Sequence, residues 1–319
     1  MIRCVFRRIY AMWFKTIFRP KTDTPTERPV FDEAFLRRME RLSLQAQRTL
    51  RGNPASGEHL SRHQLPSSIL SDHRPYSHGD DLRYVDWHAY ARHDHVLLRL
   101  GEAEQDVYVH LLLDTSRSMV VGGPSRLRQG QQLVAALGYV ALAHSDRLLI
   151  VPFATRPLPA FGPAQGKARS IEMLRFIEAL EPQPRTDLVA TVRQHVRSYP
   201  HGGLLVLCSD LLDAHGLAEV LRLLSPPRWQ VLVLHLLDRH DLQPELHGAL
   251  ELEDSESGQR LELVLDDPTL AAYQREVRAW RTALADTCAR RGAIYAPIMS
   301  DWPLEQQVVP YLRLRRVFT

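Results

Sequence analysis

From Val107 to Leu312 the chain alternates short apolar, β-branched runs with longer stretches whose apolar residues recur at helical spacing, and few folds accept that rhythm. Val107 to Leu113, Leu148 to Phe153, Leu204 to Cys208, Gln230 to Leu237 and Ala293 to Met299 read as strands. They are too continuously apolar to turn one face to water, so both faces must be covered. Helices are predicted over Arg126 to His144, Ala168 to Leu180, Asp187 to Ser198, Ala214 to Leu224 and Leu304 to Leu312. The longest helix opens at Asp267-Pro268, carries Leu270, Tyr273, Val277, Trp280, Leu284 and Cys288 on one stripe, and ends at Gly292. Such alternation predicts an α/β domain over residues 106–319, an open, mostly parallel, doubly wound sheet with helices on both faces. About residues 245–265 the rhythm gives way to polar alternation with a Ser-Gly turn, which predicts a protruding β-hairpin inserted into that domain.

Residues 1–22 alternate Arg3, Arg7, Arg8, Lys15, Arg19 and Lys21 with apolar and aromatic residues, and no acid appears. Two readings fit: a basic amphipathic helix lying at the surface of an anionic membrane, or a mobile tail. Residues 23–105 form a separate N-terminal segment, with an amphipathic helix predicted from Phe31 to Leu50 and a loop-rich stretch over 53–80. The overall composition, 45% hydrophobic and 24% charged, is that of a folded globular chain. Its net charge of +3, from 40 basic and 37 acidic residues, gives no field that would point to nucleic acid. Three scattered cysteines make no disulfide framework or zinc knuckle and fit a reducing, cytoplasmic compartment. No run approaches the roughly 18–20 apolar residues of a spanning helix.

The chemistry concentrates where the strand ending in Leu113 runs into Asp114-Thr115-Ser116-Arg117-Ser118. In open α/β sheets, ligands bind at the carboxyl ends of strands where the strand order reverses. One carboxylate and two hydroxyls on a single turn are hard oxygen ligands, suited to Mg2+ or Mn2+ rather than zinc. Such a turn needs further oxygens, and Thr186, at the start of a helix, and Asp210, just past the strand Leu204 to Cys208, stand at corresponding places.

D-x-S-x-S after the first strand, a later Thr and a later Asp resemble the metal-ion-dependent adhesion site of von Willebrand factor A domains. That resemblance implies Ser116 and Ser118 as direct ligands, with Asp114, Thr186 and Asp210 coordinating directly or through water. It leaves one coordination position for an acidic residue of a partner protein. Upstream, RPYSHGDDLRYVDWHAYAR, with Gly79-Asp80-Asp81 and Asp86-Trp87, resembles the signature of the bacterial family called domain of unknown function fifty-eight. The resemblance implies a non-enzymatic adaptor working beside a MoxR-type AAA+ ATPase in maturing or assembling other proteins. Many members of that family carry two N-terminal spanning helices, and membrane anchoring does not transfer to this chain.

The rival reading is a metallohydrolase built from His78, Asp80, Asp81, Asp86, His88, His93, Asp94 and His95, within residues 78–95. Their spacing matches no hydrolytic signature. The alternative for them is structural, with Asp80, Asp81 and Asp86 pairing with Arg74, Arg83 and Arg92 and Trp87 packing against the main domain. A phosphatase of the haloacid dehalogenase type needs a second Asp where Ser116 stands. Neither serine lies in G-x-S-x-G, and Gly122-Gly123-Pro124 lacks the G-K-[ST] of a phosphate loop.

Overall fold

The computed structural model describes residues 30–31, 35, 37, 64–66, 72–77, 82, 85–93, 95–102, 108–121, 125–212, 216–244, 248–254 and 259–314. The chain divides into two compact units, Arg51–Asp106 and Val107–Thr319, the latter grouped with Met1–Leu50.

In the smaller unit, β1 (Gln64–Pro66) and β2 (Asp72–Pro75) precede a helix, α1 (Trp87–His93), and β3 (Leu97–Glu102). The strands form an antiparallel sheet in the order β1-β3-β2. This corrects the loop-rich reading of 53–80: QLP and DHRP carry prolines and no apolar alternation, so pairing with β3, rather than their own pattern, makes them strands. Leu98 and Val85 are buried and bridge one another. Trp87, expected as a packing residue, is 58% exposed and meets the Tyr90 ring edge-on.

The larger unit begins its sheet with β4 (Tyr108–Asp114), an apolar run buried on both faces. A 3-10 turn (Arg117–Val120) leads to α2 (Arg126–Ala143), whose first turn is capped by the Ser125 hydroxyl accepting from Arg128 N–H. Next come β5 (Arg147–Phe153), β6 (Phe161–Ala164), α3 (Ser170–Glu178), α4 (Leu188–Ser198) and β7 (Gly203–Ser209). Then follow α5 (Leu217–Leu223), β8 (Trp229–Leu237), the short α6 (Arg239–Leu242), and an antiparallel hairpin of β9 (Gly248–Glu253) and β10 (Arg260–Leu265). α7 (Asp267–Arg290), β11 (Ile294–Met299) and α8 (Val309–Leu314) complete the described chain. The last helix, expected from Leu304, starts as a wide π turn over Leu304–Val308 before α8.

The six-stranded sheet runs β11-β8-β7-β4-β5-β6, all parallel except β6. In order of appearance this is 3-2-1-4-5-6, a doubly wound arrangement with its reversal between β4 and β7. Alternate β4 residues feed two cores. Val109, Leu111 and Leu113 pack with α2, α3 and the segment Val308 to Leu312, whereas Leu112 packs with α4, α5 and α7. Gly130 lets α2 lie close to the sheet, because a Cβ there would stand 2.7 Å from Leu113 Cδ1.

Of the predicted helix Phe31 to Leu50, most lies outside the described residues. Phe35 and Arg37 are helical, and Phe35 is buried in the α2 core with the Phe31 ring 5.0 Å away. Residues 1–22 and the Ser257-Gly258 turn also lie outside the described residues. Among the described residues, no helix is long and apolar enough to cross a membrane.

Candidate metal-binding site

Because β4 and β7 are parallel neighbours with Leu113 paired to Cys208, their carboxyl ends bring Asp114 and Ser209-Asp210 side by side. The Ser209 hydroxyl donates to Asp114 Oδ2 at 2.7 Å. The other Asp114 oxygen accepts from Ser116 N–H at 2.9 Å, which folds the turn back over its own carboxylate. This fold leaves the Ser116 and Ser118 hydroxyl oxygens 3.0 Å apart, both buried. Two main-chain bonds bring Thr186 to the same place. Gln183 N–H donates to Thr115 C=O at 2.7 Å, and Asp187 N–H donates to Ala154 C=O at 2.8 Å, pinning the residues on either side of Thr186 beside the ends of β4 and β5.

All five residues singled out from the sequence, Asp114, Ser116, Ser118, Thr186 and Asp210, therefore gather at one end of the sheet. The helices after β4 and β7 diverge to opposite faces there and leave the carboxyl edge open between them. Leu211, immediately after Asp210, has φ +53°, a left-handed conformation that costs a branched residue about 1–2 kcal/mol. Strain of this kind persists where surrounding bonds impose it, and here Leu211 N–H is held by Ser209 Oγ at 3.0 Å.

The electrostatics are those of a site short of positive charge. Burial, and secondarily repulsion from Asp210, pushes the Asp114 carboxyl up to about 7. Within the site, two buried oxygens of the described residues have no hydrogen-bond partner, Thr186 Oγ1 and Asp210 Oδ2. Leaving such groups unpaired costs roughly 1–3 kcal/mol each, and both belong to the predicted ligand set. Carboxylate and hydroxyl oxygens with unused lone pairs fit a hard divalent cation such as Mg2+ or Mn2+. Among the described residues, no three His, Cys, Asp or Glu side chains cluster as a metal site of the nitrogen, sulfur and carboxylate type.

Three residues that the sequence reading passed over complete the surroundings. Arg126 is 1% exposed; its Nη2 donates to Ser118 C=O at 2.7 Å and its Nη1 binds the Asp241 carboxylate. Burial alone would lower the Arg126 guanidinium, but the carboxylates of Asp241, Asp210 and Asp238 outweigh it and hold it above the usual arginine range. Asp241 itself is raised to about 6 by burial, against the pull of Arg126. Asp238 caps α6, accepting from His240 N–H at 2.8 Å, and its other oxygen accepts from the Ser300 hydroxyl at 3.3 Å. The sequence did carry a signal for Asp238: LLLD, LCSD and HLLD end three adjacent strands, with Asp114, Asp210 and Asp238 all at the carboxyl edge.

In the other unit, Asp86 Oδ1 accepts from His88 N–H and Ala89 N–H, both at 3.0 Å, the bonding of a helix N-cap for α1. His88 and His95 are exposed, while His78, Asp80, Asp81 and Asp94, and the side chain of His93, lie outside what is described. Replacing Asp86 with alanine is expected to cost about 1 kcal/mol through loss of the cap. Denaturant unfolding measures this, and a change under a few tenths of a kcal/mol would contradict the capping role.

A family model described as "Protein of unknown function DUF58" matches residues 72–283. Uncharacterized protein Rv1480 of Mycobacterium tuberculosis and uncharacterized protein Mb1516 of Mycobacterium bovis are each 27% identical over 268 residues, which is 82% of this chain and 83% of theirs. Two solved structures bear a looser likeness. The conserved hypothetical protein BatB from Bacteroides thetaiotaomicron is 18% identical with a TM-score of 0.43, over 66% of this chain and 98% of that one. An aerotolerance-related membrane protein from Bacteroides fragilis is 17% identical with a TM-score of 0.36, over 66% and 96%.

Proposed function

Because this chain belongs to the family described as protein of unknown function DUF58, its role must be argued from its site, and we propose that it is a metal-dependent protein-binding adaptor. The observation that carries the reading is the pair of buried, unpartnered oxygens on Thr186 and Asp210 beside the Asp114, Ser116 and Ser118 turn. These five residues would hold Mg2+ or Mn2+, and the bound ion would offer a coordination position to a carboxylate from a partner protein. The chain's own part is to hold the oxygens in place. Ser209 orients Asp114, the Ser116 N–H fixes the turn, and Arg126 fixes the Ser118 carbonyl.

The turn supplies carboxylate and hydroxyl oxygens suited to holding a hard cation, and His235, paired with Ser209 in the sheet, is engaged by the Tyr295 hydroxyl at 2.6 Å. Asp86, in the rival segment 78–95, is occupied in capping α1. Following the family resemblance, the partners are a MoxR-type AAA+ ATPase and a client protein presenting an acidic residue, met in the cytoplasm or at the inner face of the membrane.

The test is a pull-down with a purified MoxR-type AAA+ ATPase as bait, with Mg2+ and with chelator. Capture is expected in Mg2+ only and lost on Ser116→Ala, with the circular dichroism of the variant unchanged. Capture by folded Ser116→Ala without metal would sink the adaptor reading.

A further inference from the structure

Arg126 is a permanently charged side chain built into the floor of the site, and its bonding is incomplete. Nη1 and Nη2 are engaged by Asp241 and by Ser118 C=O, but its Nε is buried with no partner. Asp210, which also acts on the guanidinium electrostatically, has its own buried oxygen without a partner. A donor and an acceptor are thus left unused within one small cluster of opposite charge.

We propose that Arg126 is a tethered rival of the metal for Asp210, and that Asp241 keeps the site open by holding the guanidinium away. This rests on the metal-binding reading above and extends it to regulation. With Arg126 engaged by Asp241, the Asp210 carboxylate is free to ligate a divalent cation. When Asp241 withdraws, the guanidinium turns to Asp210 and supplies the positive charge the ion would have supplied. The binding of the ion and the position of α6 are then linked, and linkage of this kind is reciprocal.

Asp241 is placed to respond to events outside the site. Its main-chain carbonyl accepts from the Tyr273 hydroxyl at 2.5 Å. Tyr273 lies in a small core with Leu252 and Leu265 of the hairpin, against which Leu242 and Leu212 also pack. Leu242 follows Asp241 and Leu212 lies two residues beyond Asp210, so the core that the hairpin shares with Tyr273 is packed by both sides of the proposed exchange. A partner pressing on the β9–β10 hairpin would shift the residue that decides whether Arg126 or the ion serves Asp210.

The experiment is calorimetric titration of MnCl2 into the full chain, as wild type, Asp241→Asn, Arg126→Met and the double variant. Asp241→Asn should weaken Mn2+ binding by about tenfold or more. Adding Arg126→Met should restore it to within about threefold of wild type, since the rival is gone. A double variant that binds no better than Asp241→Asn overturns the rivalry. Should the double variant fail to fold, metal-free melting of the single variants decides. Rivalry predicts that Asp241→Asn melts near wild type, because the guanidinium finds Asp210, whereas Arg126→Met melts well below. Equal losses would mean an ordinary buried ion pair, in which removing either partner is comparably costly, and would overturn the proposal. A wild type that takes up no Mn2+ removes the metal reading and this one together, an outcome distinct from wild-type binding without rescue.

Discussion

Replacing Asp114 with asparagine is expected to weaken Mn2+ or Mg2+ binding by at least about 100-fold, or about 2.7 kcal/mol, while the metal-free protein stays as stable as wild type or gains slightly. The two effects have one cause. A carboxylate with 1% exposure, pushed up to about 7 by burial and by Asp210, is costly to keep charged when no cation compensates it. Asparagine keeps a carbonyl oxygen for Ser116 N–H and can still hydrogen-bond the Ser209 hydroxyl, so the turn retains its frame. It loses only the charge, which matters to an ion and not to the fold. Calorimetric titration gives the affinity and thermal unfolding gives the stability. Binding within about tenfold of wild type would mean that Asp114 is not part of a cation site; a collapse in melting temperature would mean that its charge serves the fold.

The second large effect lies at the opposite end of β4. His110 and His195 are buried against the rings of Tyr199 and Trp229, with 4.9 Å between the two imidazole centroids. The bonding assigns their tautomers. His110 Nε2 lies 3.3 Å from the Gly202 carbonyl, which can only accept, so His110 carries its proton on Nε2 and its Nδ1 accepts from His195 Nε2–H at 3.1 Å. Burial lowers His110 to about 4, and burial followed by its neighbour lowers His195 to about 3.

Both folded-state values lie below the unfolded value of 6.5. As pH falls through 6.5 the unfolded chain takes up protons that the folded chain refuses, and stability contributed above that pH is lost. Asp114 and Asp241, raised to about 7 and about 6, titrate in the opposite sense, so the net slope of wild type alone is uninformative. The comparison with His195→Gln cancels those carboxyls, and glutamine can still donate to His110 Nδ1. Between pH 6.5 and 4.5, wild type should lose roughly 2–3 kcal/mol more than His195→Gln, at about 1.4 kcal/mol per pH unit. Denaturant unfolding at three pH values in that window measures it. Parallel pH profiles would show that His195 titrates alike in both states.

Much of the fold could be read from the chain because its strands are buried on both faces. A run such as HLLLD can only be a central strand, and the alternation around it leaves a doubly wound sheet as the arrangement to expect. What escaped reading was set by tertiary pairing. β6, four residues with Gly162 and Pro163 inside it, has no strand pattern of its own and exists because β5 offers it an edge. β1 and β2 escaped for the same reason. At the site, Asp114, Ser116 and Ser118 announced themselves by spacing, and Asp210 by following a strand. Arg126 and Asp241 did not, since 115 residues separate two side chains that meet only once β4 and β8 share a sheet. No local pattern marks an arginine at the start of a helix as buried.

The two outermost strands of the six-stranded sheet each carry a proline, Pro163 in β6 and Pro297 in β11. A proline has no N–H to offer a further strand, and its ring obstructs one that approaches. The sheet is therefore closed to growth at both borders, and copies of this molecule are discouraged from joining edge to edge into ribbons. An adaptor of the kind proposed above, gripped at its loop end, gains from being inert along its flanks. Crowding such chains around a common partner would then raise occupancy without inviting strand exchange.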